Sequence, residues 1–167
     1  PLHENLNAIV APVSLEAPMD LSDVQLLIDG LRGHFDRLIL DMPAGLGFSS
    51  KIAGCTADIA LIAVTPDPVC VRDGAKMAQT LEKQGLCRHR LLINRVEEKM
   101  LRRAVLTDLD AVIDGVGSQL LGVFPYAEEI PLRLSRGLQL KGNHPVLRIA
   151  QAVSRRLDGE YVPLVFP

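Results

Sequence analysis

Four apolar runs without polar alternation stand out along the chain: Leu38–Leu40, Ile59–Val64, Leu91–Ile93 and Leu120–Phe124. Runs of this kind suit strands covered on both faces, as in a parallel sheet. Between them the apolar residues recur at helical spacing. Ser22 opens a helix, with Gln25 three residues on as a capping box and Val24, Leu27, Ile28 and Leu31 on one face up to Gly33. Phe48–Cys55 is a short helix. Val69–Gln84 is a longer one, with Val71, Ala75, Ala78 and Leu81 inward and Gly85 just past its end. Glu97–Val116 contains a helix striped by Leu109, Val112, Ile113 and Val116. A polar loop and short helix run to Asn143. Pro145 then starts a helix with Val146, Ile149, Ala150, Val153 and Leu157 on one side. Asn7–Val13 predicts one more strand, closed at Pro12, and Tyr161–Pro167 an extended tail. Strands alternating with helices predict βαβ units and an α/β fold with a mostly parallel sheet. No linker or repeat divides residues 1–167, so a single domain is expected.

Composition narrows this picture. Apolar residues make up 48% of the 167 and aromatic residues only 4%, an aliphatic core of the kind that α/β layers use. A net charge of −2 gives no overall field toward nucleic acid or membrane. Cys55, Cys70 and Cys87 are odd in number and widely spaced, which argues against a disulfide framework or structural zinc and fits a reducing cytoplasm. No apolar run reaches membrane-spanning length, and no signal peptide is visible.

The candidate chemistry lies where strands end. Arg37–Gly47 reads as a buried strand finishing in Asp41, then a sharp turn through Pro43, Ala44 and Gly45. Ligands of open α/β sheets bind at the carboxyl ends of strands. An acid there can hold Mg²⁺ directly or through water, and the small turn residues can present backbone N–H groups to a phosphate. The ordinary alternative is a solvated acid before a simple turn. Asn94-Arg95 and Phe124-Pro125-Tyr126 end two further strands on the same edge. The Asn94 amide can pair with a donor and an acceptor of a purine, or simply bond its own turn. Pro125 and Tyr126 can pack on a ring face.

Five blocks in register carry a resemblance: Asp41-Met-Pro-Ala-Gly-Leu-Gly47, Ala57–Asp67, Val71-Arg72-Asp73, Leu92–Val96 and Leu121–Pro125. Together they resemble the MinD/ParA family of deviant Walker ATPases, closest to its MinD-like, septum-site-determining branch, from about Asn5 to Val153. Arg133–Gly137 followed by Pro145 is similar to the family's loop after the last strand. The resemblance implies a three-layer fold like that of P-loop NTPases and a site for ATP or ADP with Mg²⁺. Asp41 would be the Walker B acid acting on Mg²⁺ through water. Pro43, Ala44 and Gly45 would form the switch beside the γ-phosphate. Asn94 would read the adenine, with Arg95 beside it and Pro125, Tyr126 and Glu128 closing over the base. Arg72 and Asp73 would lie where protein regulators engage, and the complete protein would form an ATP-driven homodimer.

The departures are as informative. The family opens with a Gly-Lys-rich P-loop, and this sequence has no Gly-Lys dipeptide. The strand with that loop, the next family strand and a C-terminal amphipathic membrane helix have no counterpart. Asp108-x-Asp110 does not replace the second strand's acids, because it falls in a helical pattern. The expectation is the C-terminal two-thirds of a longer ATPase, inactive and binding no nucleotide appreciably alone, with any membrane contact dependent on the missing helix. Its process would be division-site placement or related positioning. The alternatives are a non-catalytic module truly lacking the P-loop and a ParA-type partition protein binding DNA. Nucleic acid is the less expected partner, since only Arg148, Arg155 and Arg156 would serve it.

Overall fold

The computed structural model describes residues 5–10, 20–97, 106–140 and 142–164. They fall into two compact units, residues 1–38 and 39–167.

The first unit holds helix α1, Leu21–Arg32, with Val24 and Ile28 buried. Its cap is Asp20, whose carboxylate accepts the Leu21 N–H at 2.6 Å, rather than Ser22 as the capping-box pattern suggested. An acid two residues earlier serves an orphan donor of the first turn and the helix dipole, so it displaces the serine. Leu27 lies 45% exposed, off the buried face. The strand expected over Asn7–Val13 does not form where it can be seen. Asn7–Val10 has no strand structure, Ile9 and Val10 are exposed, and the remaining three residues lie outside the described ones.

The second unit is α/β. Helix α2 (Phe48–Thr56) is followed by strand β1 (Ala60–Val64), helix α3 (Pro68–Lys83), strand β2 (His89–Val96), helix α4 (Leu106–Val116), strand β3 (Leu120–Pro125), and helices α5 (Glu129–Ser135) and α6 (Pro145–Leu157). The three strands are parallel in the order β1-β2-β3. Ile62, Val64, Leu91, Ile93 and Val123 meet Ala78 and Leu81 of α3 and Leu109, Val112 and Val116 of α4 in one core. Both crossover helices therefore cover the same face, as successive right-handed βαβ units require. The other face is covered by α6, where Ile149 and Val153 pack on Leu121 with Leu92 and Phe124 at the margin. Ala152, not Ala150, completes the buried side of α6. Gly122 permits that contact, since a β-carbon there would lie 2.6 Å from Val153.

The apolar run Leu38–Leu40 is not a buried strand, contrary to its pattern. It has no strand structure, and Ile39 is 89% exposed. A strand needs a neighbour to satisfy its backbone and cover its side chains. β1 has β2 on one side and no described strand on the other, and its Leu61 is 43% exposed.

Candidate functional site

The carboxyl edge of the sheet opens into a cleft of about 480 Å³. Its floor and sides are Leu92, Phe124, Ile130, Pro131 and Val146, and its rim carries Asn94, Arg95, Pro125 and Tyr126. The walls are apolar and the rim is polar, the usual make-up of a site for a planar ligand with a few hydrogen-bonding groups. β2 and β3 bring the rim together. The Tyr126 N–H donates to the Val96 carbonyl at 2.9 Å, carrying the pairing one residue past β3. The Arg95 guanidinium lies 5.4 Å from the Tyr126 ring centroid. Of the expected base-binding residues, Asn94, Arg95, Pro125 and Tyr126 meet here. Glu128 does not line the cleft; it precedes α5.

The acid and its turn lie elsewhere. Asp41 is exposed in irregular chain. The turn after it is nevertheless held in shape. Gly45 has φ 120°, a conformation that a side chain strains. The buried Ser49 hydroxyl donates to the Pro43 carbonyl at 2.9 Å, and the buried Ser50 hydroxyl donates to the Gly47 carbonyl at 3.0 Å. α2 thus staples the turn through its first polar residues. Sequence reasoning missed these serines, although a Ser-Ser pair at a helix start is a visible sign of side-chain bonding to the preceding loop.

At the end of β1, Asp67 caps α3. Its carboxylate accepts the Thr65 hydroxyl, the Cys70 N–H at 3.0 Å and the Val69 N–H at 3.1 Å. The Thr65 hydroxyl foremost, then the helix amides, hold its pKa at about 2. One turn on, Arg72, Asp73 and Lys76 are exposed, with Asp73 3.9 Å from Arg72 and 3.8 Å from Lys76. Beyond the cleft, His144 joins α5 to α6. Its Nδ1 accepts the Val146 N–H at 3.2 Å, which leaves the ring proton on Nε2, 2.9 Å from Glu129. That hydrogen bond draws the Glu129 pKa below the ordinary carboxylate range.

Among the described residues no cluster of three His, Cys, Asp or Glu side chains could hold a metal. No described helix is long and apolar enough to cross a membrane.

No protein-family model matches the chain. Curated proteins do. A putative septum site-determining protein MinD of Emiliania huxleyi is 30% identical over 155 residues, covering 90% of this chain and 57% of that protein. The MinD of a MinC:MinD cell division protein complex from Aquifex aeolicus superposes with a TM-score of 0.80 at 25% identity, covering 89% of this chain and 63% of that one. A septum site-determining protein MinD complexed with Mg-ADP from Pyrococcus horikoshii superposes with a TM-score of 0.65 at 22% identity, over 83% of this chain and 57% of that one, and bears on the fold alone. The chain spans about three fifths of the length of the curated relatives it matches.

Proposed function

We infer, from a sequence and fold that are MinD-like, that this chain is the C-terminal two-thirds of a MinD-like nucleotide-binding domain. It supplies the base-binding edge of an ATP-driven switch used in placing the division site or in related positioning in the cytoplasm. The observation that carries this reading is the cleft, where Asn94, Arg95, Pro125 and Tyr126 meet at the carboxyl edge of a parallel sheet.

The residues fit the base of a nucleotide. Leu92, Phe124 and Val146 offer apolar walls, Pro125 and Tyr126 a flat rim, and Asn94 an amide with both a donor and an acceptor. They do not by themselves provide for the phosphates, because the sequence has no Gly-Lys loop to cradle them. In the complete protein Asp41 would serve Mg²⁺, which would supply positive charge to the phosphates, and the stapled turn of Pro43, Ala44 and Gly45 would face the γ-phosphate. Hydrolysis there rests on positioning and charge. The MinC in the A. aeolicus complex supports a protein regulator as partner, and nucleotide with Mg²⁺ is proposed from the cleft and the MinD-like sequence. The exposed start of α3, with Arg72 and Asp73, is the face proposed for that regulator, and a homodimer is the proposed ATP-bound state.

Calorimetric titration with Mg-ATP tests the reading. The chain alone binds weakly, with a Kd well above micromolar, whereas the longer natural protein binds tightly and loses affinity on Asn94→Ala. Submicromolar binding by this chain alone contradicts it. The exposed Ile39 and the open edge of β1 keep a second reading in view, a P-loop-less module completed by another protein's strands. An intact mass from the natural source equal to 18.2 kDa selects that reading, and a mass about ten kilodaltons larger selects the first.

A further inference from the structure

The pairing of β2 with β3 slips at the rim of the cleft. Ile93 pairs with Val123 and Val96 with Pro125, so β2 spends one residue more than β3 over the same distance. The surplus is taken up as a bulge at Asn94-Arg95. Arg95 there has φ 58°, the only positive φ among the described non-glycine residues. Arginine has no preference for this left-handed conformation, as glycine and asparagine have. Strain of this kind persists only where the surroundings hold it, and it concentrates at sites that use it.

The bulge does two things at the rim. It turns the Arg95 N–H back onto the Asn94 Oδ1 at 2.9 Å. It also carries the Arg95 guanidinium over the Tyr126 ring, 5.4 Å from its centroid. Asn94, Arg95 and Tyr126 all line the same cleft.

We propose that the left-handed backbone at Arg95 is a positioning device that sets the base selectivity of this cleft, for a 6-aminopurine against a 6-oxopurine. The inference rests on the reading of the cleft as a base site. The Arg95 backbone fills one lone pair of the Asn94 Oδ1 and so fixes which end of the amide points where. A fixed amide presents one acceptor beside its donors. Adenine's amino group and adjacent ring nitrogen match that pair, whereas guanine offers two acceptors at the same edge. A freely turning amide could bring its amino group round to guanine, and one tethered at Oδ1 cannot. The guanidinium separately steadies the Tyr126 ring as a wall for the base.

The two contributions separate by substitution. The isotopically labelled 167-residue chain is titrated with adenosine and with guanosine, following the Asn94 side-chain amide and the Tyr126 resonances by NMR. Neither nucleoside needs a phosphate site. The wild type prefers adenosine by roughly tenfold, the scale of one good bidentate pair. Arg95→Gly adopts the left-handed conformation freely and keeps the N–H, so it binds adenosine about three-fold more weakly with the preference intact. Arg95→Val is driven out of that conformation, releases the amide and loses the preference. Arg95→Pro, which has no N–H to give the Asn94 Oδ1 and a ring that holds φ near −65°, repeats that loss and carries the test if Arg95→Val does not fold. A wild-type preference for adenosine kept by Arg95→Val and Arg95→Pro overturns the inference while the base site stands. A wild type that shifts these resonances with neither nucleoside overturns the base site, and the inference with it.

Discussion

Leu38–Leu40 and Leu91–Ile93 are nearly the same three residues in pattern, yet they end in opposite environments. Leu91 and Ile93 are fully buried in the middle strand, with β1 and β3 on either side and α3 and α4 over one face. Ile39 stands 89% exposed in chain that joins no strand. Hydrophobicity alone does not make a strand. The apolar run states a demand for neighbours, and the rest of the chain decides whether the demand is met. β1 lies between the two cases, paired on one side and with no described strand on the other.

Matched substitutions sharpen the comparison most. Ile93→Ala removes a buried side chain from the shared core and costs about 2–5 kcal/mol in urea unfolding. Ile39→Ala, the same chemistry at an exposed site, changes stability by less than about 0.5 kcal/mol. Equal losses break the comparison. Gly122→Ala comes next in size. Its β-carbon meets Val153 at 2.6 Å, so α6 must shift off β3, at a cost of about 1–3 kcal/mol. The open Gly47 on the acid-bearing side has nothing within 4 Å and tolerates the same change. Smaller again is the strain at Arg95. Arg95→Gly and Arg95→Ala both lose the Tyr126 contact, and only alanine keeps the left-handed penalty. The glycine variant is therefore the more stable of the two by about 1 kcal/mol, the reverse of the usual order of these residues in a strand.

The smallest effect is the pH dependence at Asp67. Its native pKa lies below the unfolded value, so its ionised form favours the fold. That contribution is complete above the ordinary aspartate value of 3.8 and is lost as the pH falls through about 2. Thermal unfolding followed from pH 5 to pH 2 shows a drop in wild type that Asp67→Asn lacks. Parallel curves for the two proteins remove the assigned role of the Thr65 hydroxyl and the helix amides.

The elements from β1 onward were legible because each apolar run and each helical stripe there finds its partner within the chain. Ala60–Val64, Pro68–Lys83, Leu106–Val116 and Pro145–Leu157 lie within two residues of their patterned bounds or inside them. The cleft was legible in part. Asn94, Arg95, Pro125 and Tyr126 were placed on one edge by their position at strand ends. Leu92, Ile130 and Val146 went unassigned as cleft residues, because a residue that lines a cleft and one that fills a core share the same hydrophobic signature. The bulge at Asn94-Arg95 left no mark, since Asn-Arg carries no glycine to signal a left-handed residue. The strand before Asp41 was misread for the opposite reason. Its pattern is a good one, but no described strand pairs with it.

Amide hydrogen exchange of residues 38–41 against residues 91–93 tests the central claim most directly. The account predicts exchange at nearly unstructured rates for residues 38–41, with strong protection of residues 91–93. Residues 38–41 as protected as residues 91–93 would contradict the claim that an apolar run becomes a strand only where the chain supplies its neighbours.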